Sequence, residues 1–392
     1  MGGSAGSRWT YETSDLVGFL QGAIDLEVGP DSVAPLRVPA ERLRQMRDAT
    51  LDRVARSTSA VRLEFNTTAS WIELDVSVAR FVPERLMPNG RPAVFALVSD
   101  DVSIELLSKR EAVASIAFDG AVSHSAGARE MLRWEFERRP QTRTVEVWLP
   151  TAAAVHLHVL RSDKPVKPAD RKRLRWVHHG SSISHGADQR SPLATWPAVV
   201  ARERAWDLTN LGLGGHAHAD GFTARAIRDQ PADIITVKIG INVVNGDTMR
   251  ERTFRSALHS FLDTVREGHP ETPLLVIGPI SCPMHEDTHG PTVQESDGTL
   301  HAHGENAPAA GKLTLIQARE IAREVVADRL ADQNLQYMDG RRLLGEADAH
   351  LLYDSLHPDE EGHALIADRF LQAVDVTTVD GRTKLELVKE DP

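Results

Sequence analysis

Between Val177 and Gly186 the chain reads VHHGSSISHG, with three histidines, three serines and two glycines in ten residues. Hydroxyls beside imidazoles are the material of nucleophilic catalysis, because a serine attacks a carbonyl only when a base takes its proton. These residues alone leave open which of Ser181, Ser182 and Ser184 would attack. The plainer role for a serine after a strand is a helix N-cap. His178 and His179 end that strand, so one would face the site and the other the core, with structural roles expected for both. A second stretch, HEDTH at 285–289, fits the H-E-x-x-H of zinc proteases. That pattern holds a metal only where a helix brings both histidines to one face. Pro283 stands before it and Gly290-Pro291 directly after it, and it has no apolar face. It reads as a loop, and no metal is expected. HAHAD (216–220) and HAHGE (301–305) are weak as metal sites too. The only cysteine, Cys282, sits between Ser281 and Pro283 with no activating base in view. It is not read as a nucleophile, which would need nearby positive charge.

The elements that must position such groups change character along the chain. Residues from roughly 60 to 160 alternate: Val61, Leu63 and Phe65 against Arg62 and Glu64, then Ile72, Leu74, Val76 and Val78 against Glu73, Asp75 and Ser77. A period of two marks half-buried strands, and many of them with turns between suggest an antiparallel sandwich. A helix is expected at about 39–55. The segment RSDKPVKPADRK (161–172), charged and carrying two prolines, reads as a boundary. From 173 short apolar runs alternate with amphipathic helices, which makes a parallel sheet with helices on both faces. One such helix is expected to open at Ser191-Pro192. The stretch 282–310 reads as a long lid-like loop, and 376–392 as an edge strand or a disordered tail.

The bulk numbers narrow the field. With 392 residues, two domains is the natural expectation. A net charge of −11 argues against nucleic acid, which needs a basic face. No apolar run spans a membrane and the N-terminus lacks a signal-peptide core. With a single cysteine, a cytoplasmic setting is expected.

In a parallel sheet, chemistry belongs at the carboxyl ends of the strands. Four loops there carry Gly180-Ser181-Ser182-Ile183, Asn210-Leu211-Gly212-Leu213-Gly214-Gly215, Gly240-Ile241-Asn242-Val243 and Asp354-Ser355-Leu356-His357. In this order and on these loops they resemble the four blocks of the GDSL, or SGNH, hydrolase family. The resemblance implies Ser182 as nucleophile, His357 as base and Asp354 as its partner. It implies an oxyanion hole from the Ser182 N–H, the Gly215 N–H and the Asn242 side chain. A spacing of three from carboxylate to imidazole suits a turn that fixes the tautomer. Ser181 and Val243 stand where the family carries Asp, which puts the hydrogen bonding behind the loops in doubt. The implied fold is α/β: an SGNH-type three-layer α/β/α domain over 173–375, preceded by a jelly-roll-like antiparallel sandwich over 8–165 that resembles a carbohydrate-binding module.

The layout further resembles the acyltransferase members of that family. It implies transfer of an aryl acyl group, salicylyl, to a hydroxyl of a tetracycline-type polyketide, with acyl-CoA (salicylyl-CoA) as co-substrate and no bound cofactor. The expected partners are therefore a small-molecule acyl donor and a hydroxyl acceptor. The alternative is an esterase or deacetylase acting on a carbohydrate or small ester. A non-catalytic sugar-binding protein would show exposed aromatics on one sandwich face, and Trp71, Trp134 and Trp148 are dispersed candidates. His185, His216 and His218 lie on the loops nearest the expected pocket.

Overall fold

The apolar run LLVI and the alternating run WIELDVSV fold as their periods require, one into a strand buried on both sides and the other into a half-buried strand. The structure, a computed structural model, describes residues 8–83, 92–100, 102–116, 122–170, 172–295, 299–304 and 311–389. The chain divides into two units. One comprises residues up to Ala40, Asp52–Lys172 and Arg190–Leu193; the other comprises Glu41–Leu51, Arg173–Gln189 and Ala194–Pro392.

The first unit is a two-sheet β-sandwich. Strands Trp71–Pro83 and Ala153–Ser162 lie at the middle of an eight-stranded sheet, and Arg62–Thr67 and Arg143–Trp148 at the middle of a six-stranded one. Pairing is antiparallel except between Ala79–Pro83 and Ala112–Ile116. Leu63, Phe65, Leu74, Val76, Phe95, Leu97, Val147 and Leu157 belong to one continuous apolar core. The alternation misplaces Arg62, Glu64 and Glu73. Arg62 and Glu64 belong on the outer face, yet both are buried, with Arg62 Nε 3.8 Å from Glu64 Oε2 and its guanidinium over the Trp148 ring. Pairing is what makes such burial tolerable. The three candidate tryptophans do not stand exposed together on one face. Trp134 and Trp148 are buried, and Trp71 lies against the guanidinium groups of Arg133 and Arg8.

The second unit is a three-layer α/β/α domain. Its parallel sheet contains β1 (Arg175–Gly180), β2 (Asp207–Gly212), β3 (Ile234–Lys238), β4 (Leu274–Ile277) and β5 (Leu335–Met338), in the order β2-β1-β3-β4-β5. The helices are α1 (Ser182–His185), α2 (Trp196–Glu203), α3 (Gly221–Arg228), α4 (Ile241–Asn245), α5 (Glu251–Gly268), α6 (Leu315–Ala327) and α7 (Glu360–Ala373). Strand β1 is flanked by β2 and β3, so the connections diverge at its carboxyl end, where ligands bind in open α/β sheets.

Four local expectations are corrected. The single helix at 39–55 is two, Ala40–Leu43 and Ala49–Arg56; Arg47 turns left-handed (φ 49°), and Asp48 Oδ1 caps the second by accepting from the N–H groups of Thr50 and Leu51. The helix expected at Ser191 begins at Trp196, capped by Thr195 with Pro197 in its first turn. The tail forms a hairpin, Val374–Val379 with Arg382–Leu387, around left-handed Asp380 and Gly381. The stretch 282–310 is not all loop either. It contains a 3-10 turn at Pro283–His285 and a small hairpin, Thr292–Gln294 with Leu300–Ala302; residues 296–298 and 305–310, including Glu305 of HAHGE, lie outside the described residues.

Candidate active site

Strand β1 ends at Gly180, and the chain turns at once into α1. A Cβ on Gly180 would fall on Ser184 Oγ, so only glycine permits this turn. Ser181 is the helix cap, its hydroxyl accepting from the Ile183 N–H. The capping role that competes for Ser182 is thus filled by its neighbour. Ser184 is engaged below, 2.8 Å from His178 Nε2. Ser182 alone of the three turns toward the imidazole of His357, with Oγ 2.9 Å from Nε2.

His357 is held from behind. Its Nδ1 lies 2.7 Å from Asp354 Oδ2, while Asp354 Oδ1 accepts from the backbone N–H groups of Leu356 and His357. A carboxylate on Nδ1 places the proton there and leaves the Nε2 lone pair for the serine. The turn between them is tight enough to put Ser355 in the left-handed region (φ 68°). The Tyr353 ring lies nearly parallel to the imidazole, 6.2 Å away between centroids.

The electrostatics suit a base. Burial opposes ionisation of Asp354, but the hydrogen bonds and charge of His357 outweigh it and hold the carboxyl below the usual range. Burial also disfavours the imidazolium of His357, yet the Asp354 hydrogen bond and the charges of Asp188 and Asp354 raise its pKa above 6.5. Asp188 carries no sequence signal, since it lies in a loop outside all four blocks. A base must be neutral to accept a proton. Activity should therefore fall as pH drops through a midpoint above 6.5. Asp188→Asn removes a charge that favours the protonated ring and should move that midpoint to lower pH. The kcat/KM profile of aryl-ester hydrolysis reads both; a midpoint at or below 6.5, or one unmoved in the variant, would contradict this electrostatic reading.

Two other loops carry the remaining candidates. Gly240 begins α4 at φ 125°, packed so that a Cβ would strike Pro279. Asn242 Oδ1 accepts from the Ala217 N–H at 3.0 Å. That bond fixes the amide orientation and leaves Nδ2, which has no partner among the described residues, as the available donor. His218 Nε2 lies 3.2 Å from the Asn242 carbonyl oxygen. Gly215 is exposed and left-handed (φ 75°) with open space beside it. Its neighbour Gly214, absent from the sequence-based set, is close enough that its Cβ would lie 3.5 Å from Ser182 Cβ. Of the two departures, Ser181 supplies its own cap and Val243 is fully buried.

The remaining histidines divide. His178 and His179 are both fully buried, as expected of structural residues: His178 bonds Thr236 and Ser184, while His179 bonds the Leu211 carbonyl and stacks on Phe261. His185 is buried beneath Gly214, and His216 Nδ1 lies 3.9 Å from Asp48. In HEDTH, His285 uses both ring nitrogens on Thr288 and Thr292, His289 bonds Gly290, and Glu286 is paired with Arg319. The stretch is not a helix. Burial, with the charges of Glu286 and Asp354, pushes the Cys282 thiol up to about 12, which makes it a poor nucleophile.

Residues 179–365 match the GDSL-like lipase/acylhydrolase family. No curated protein matches the sequence. Among solved structures, a salicylyl-acyltransferase, SsfX3, from a tetracycline biosynthetic pathway is similar over 92% of this chain and 95% of its own, at 25% identity and a TM-score of 0.74. A Bacteroides ovatus protein classed as a GDSL-like lipase is similar over 94% and 97%, at 17% identity and a TM-score of 0.64. A family two carbohydrate esterase from Clostridium thermocellum, solved with cellohexaose, is similar over 90% and 97%, at 12% identity and a TM-score of 0.56. The last two show the fold alone.

Proposed function

We propose, from the match of residues 179–365 to the GDSL-like lipase/acylhydrolase family, that the chain is a serine-dependent acyltransferase. In this reading it moves a salicylyl group from coenzyme A to a hydroxyl of a tetracycline-type polyketide. The observation that carries the chemistry is the unbroken relay from Ser182 Oγ through His357 to Asp354. Support for the substrate class comes from the likeness to a salicylyl-acyltransferase along nearly the whole chain.

Ser182 Oγ attacks the thioester carbonyl while His357 Nε2 takes its proton. The resulting oxyanion is held by the Ser182 N–H, the Gly215 N–H and the Asn242 amide. Collapse breaks the carbon–sulfur bond, His357 returns the proton to the departing thiolate, and an acyl ester remains on Ser182. The acceptor hydroxyl then gives its proton to His357 and attacks that ester. A second collapse frees the product ester as His357 returns its proton to Ser182 Oγ, restoring both groups.

A carbohydrate or small-ester deacylase is the second reading, favoured by the fold shared with family two carbohydrate esterases. The two diverge only in what arrives second, an alcohol or water. Incubation with salicylyl-CoA and a hydroxylated tetracyclic acceptor separates them. The transfer reading expects the salicylyl ester to accumulate faster than free salicylate. Formation of free salicylate alone with every acceptor, together with release of acetate from acetylated oligosaccharides, would overturn transfer in favour of hydrolysis.

A further inference from the structure

The face of the sheet beneath Ser182 carries a charge that the relay does not use. Alternation along β3 puts Thr236 and Lys238 on one face, which is the face of Trp176 and His178, since both of these bond Thr236 Oγ1 at 2.8 and 2.7 Å. Lys238 is the last residue of β3, with only Ile239 and Gly240 between it and the helix that bears Asn242. In the neighbouring strand His179 pairs with Val237, so Lys238 stands level with the turn into Ser182. The residue is 1% exposed, and Nζ has no hydrogen-bond partner among the described residues.

Two buried imidazoles lie within reach of its charge. From β1 comes His178, whose Nε2 meets Ser184 of α1. From α7 comes His363, whose Nδ1 accepts from the Trp196 N–H of α2 at 3.1 Å. Burial, and then neighbouring positive charge that includes Lys238, keeps both imidazoles unprotonated; His363 falls to about 3. Burial pushes Lys238 itself down to about 8, so the ammonium persists at neutral pH. His357 is governed by burial, Asp354 and Asp188 instead.

A buried, unpaired ammonium costs stability that a methionine in the same space would not. Perturbed, uncompensated groups of this kind gather where charge is used. We propose that Lys238 is a positioning residue for acyl transfer: its fixed positive charge, under the loops bearing Ser182 and Asn242, favours the oxyanion formed between them. This rests on the acyl-transfer reading above. One strand spacing plus the turn into Ser182 puts the charge on the order of 10 Å from the oxyanion. Through an effective dielectric of about 20 that is worth roughly 10-fold in rate.

The test is steady-state hydrolysis of an aryl acetate by wild type, Lys238→Met and Ser182→Ala, with thermal melts of each. Lys238→Met should lose roughly 10-fold in kcat/KM at neutral pH while melting at the same or a higher temperature. Wild type should lose a similar factor as pH rises through about 8, and Lys238→Met should show no such limb. The wild-type profile needs no variant to fold. A variant with wild-type rate and limb, or one that is slow, less stable and unchanged in pH dependence, would overturn the proposal. If Ser182→Ala is inactive and Lys238→Met is normal, only this inference fails. If Ser182→Ala keeps turnover, the acyl-transfer reading fails and this inference falls with it.

Discussion

Ser182→Ala should lower kcat for aryl-ester hydrolysis by about a million-fold, leaving only what the oxyanion donors and substrate binding supply. The loss is large because nothing nearby can replace the hydroxyl. Ser184 Oγ is occupied by His178, Ser181 caps α1, and Cys282 is buried with its thiol held protonated. The cost to the fold should be small, since a half-buried side chain gives up one hydrogen bond to His357. A variant that melts as wild type does but has lost turnover is the expected result. One that turns over within tenfold of wild type would remove Ser182 from the chemistry.

Asp354→Asn should cost about 10⁴-fold, and for a reason readable in the bonds. Asp354 Oδ1 accepts two backbone N–H groups, from Leu356 and His357. An asparagine must keep its carbonyl oxygen on those donors, which turns its NH2 toward His357 Nδ1. Nδ1 then has to accept, the ring proton moves to Nε2, and Nε2 can no longer take the proton of Ser182. The geometry survives while the tautomer inverts. Rates of the variant, with ring-nitrogen chemical shifts to report the tautomer, check this directly. A loss under tenfold, or an unchanged tautomer, would show that Asp354 does not set the base.

Much of the site was legible because the chemistry sits in short turns whose residues bond within a few positions of one another. Asp354 and His357 are three apart and meet within one turn. Gly240 is required by its backbone conformation, and Gly180 by the closeness of Ser184, four residues on. The apolar runs of β3 and β4 follow from burial on both faces. What escaped depends on partners distant in sequence, or on turn signals weighed too lightly. The burial of Arg62 and Glu64 needs their mutual pairing and the Trp148 ring, which alternation cannot express. Trp71 reads as a free aromatic until Arg133 is seen against its ring. Lys238 sits in a run that reads as a buried strand, ADIITVKIGIN, but the run does not say that its ammonium stays unpaired. The hairpin at the tail was announced by Asp380-Gly381, a strong two-residue turn signal. The helix at Trp196 was announced by Thr195 and Pro197, overshadowed by the similar pair at Ser191-Pro192.

The central claim is that acyl groups pass through a covalent ester on Ser182. Rapid quenching in acid during turnover of an aryl ester, followed by peptide mass mapping, tests it most directly. The account predicts an acyl adduct on the peptide holding Gly180 to Gly186, located at Ser182 and accompanied by a burst of the aryl leaving group equal to the enzyme present. Steady turnover with no adduct and no burst, or an adduct on another side chain, would contradict it.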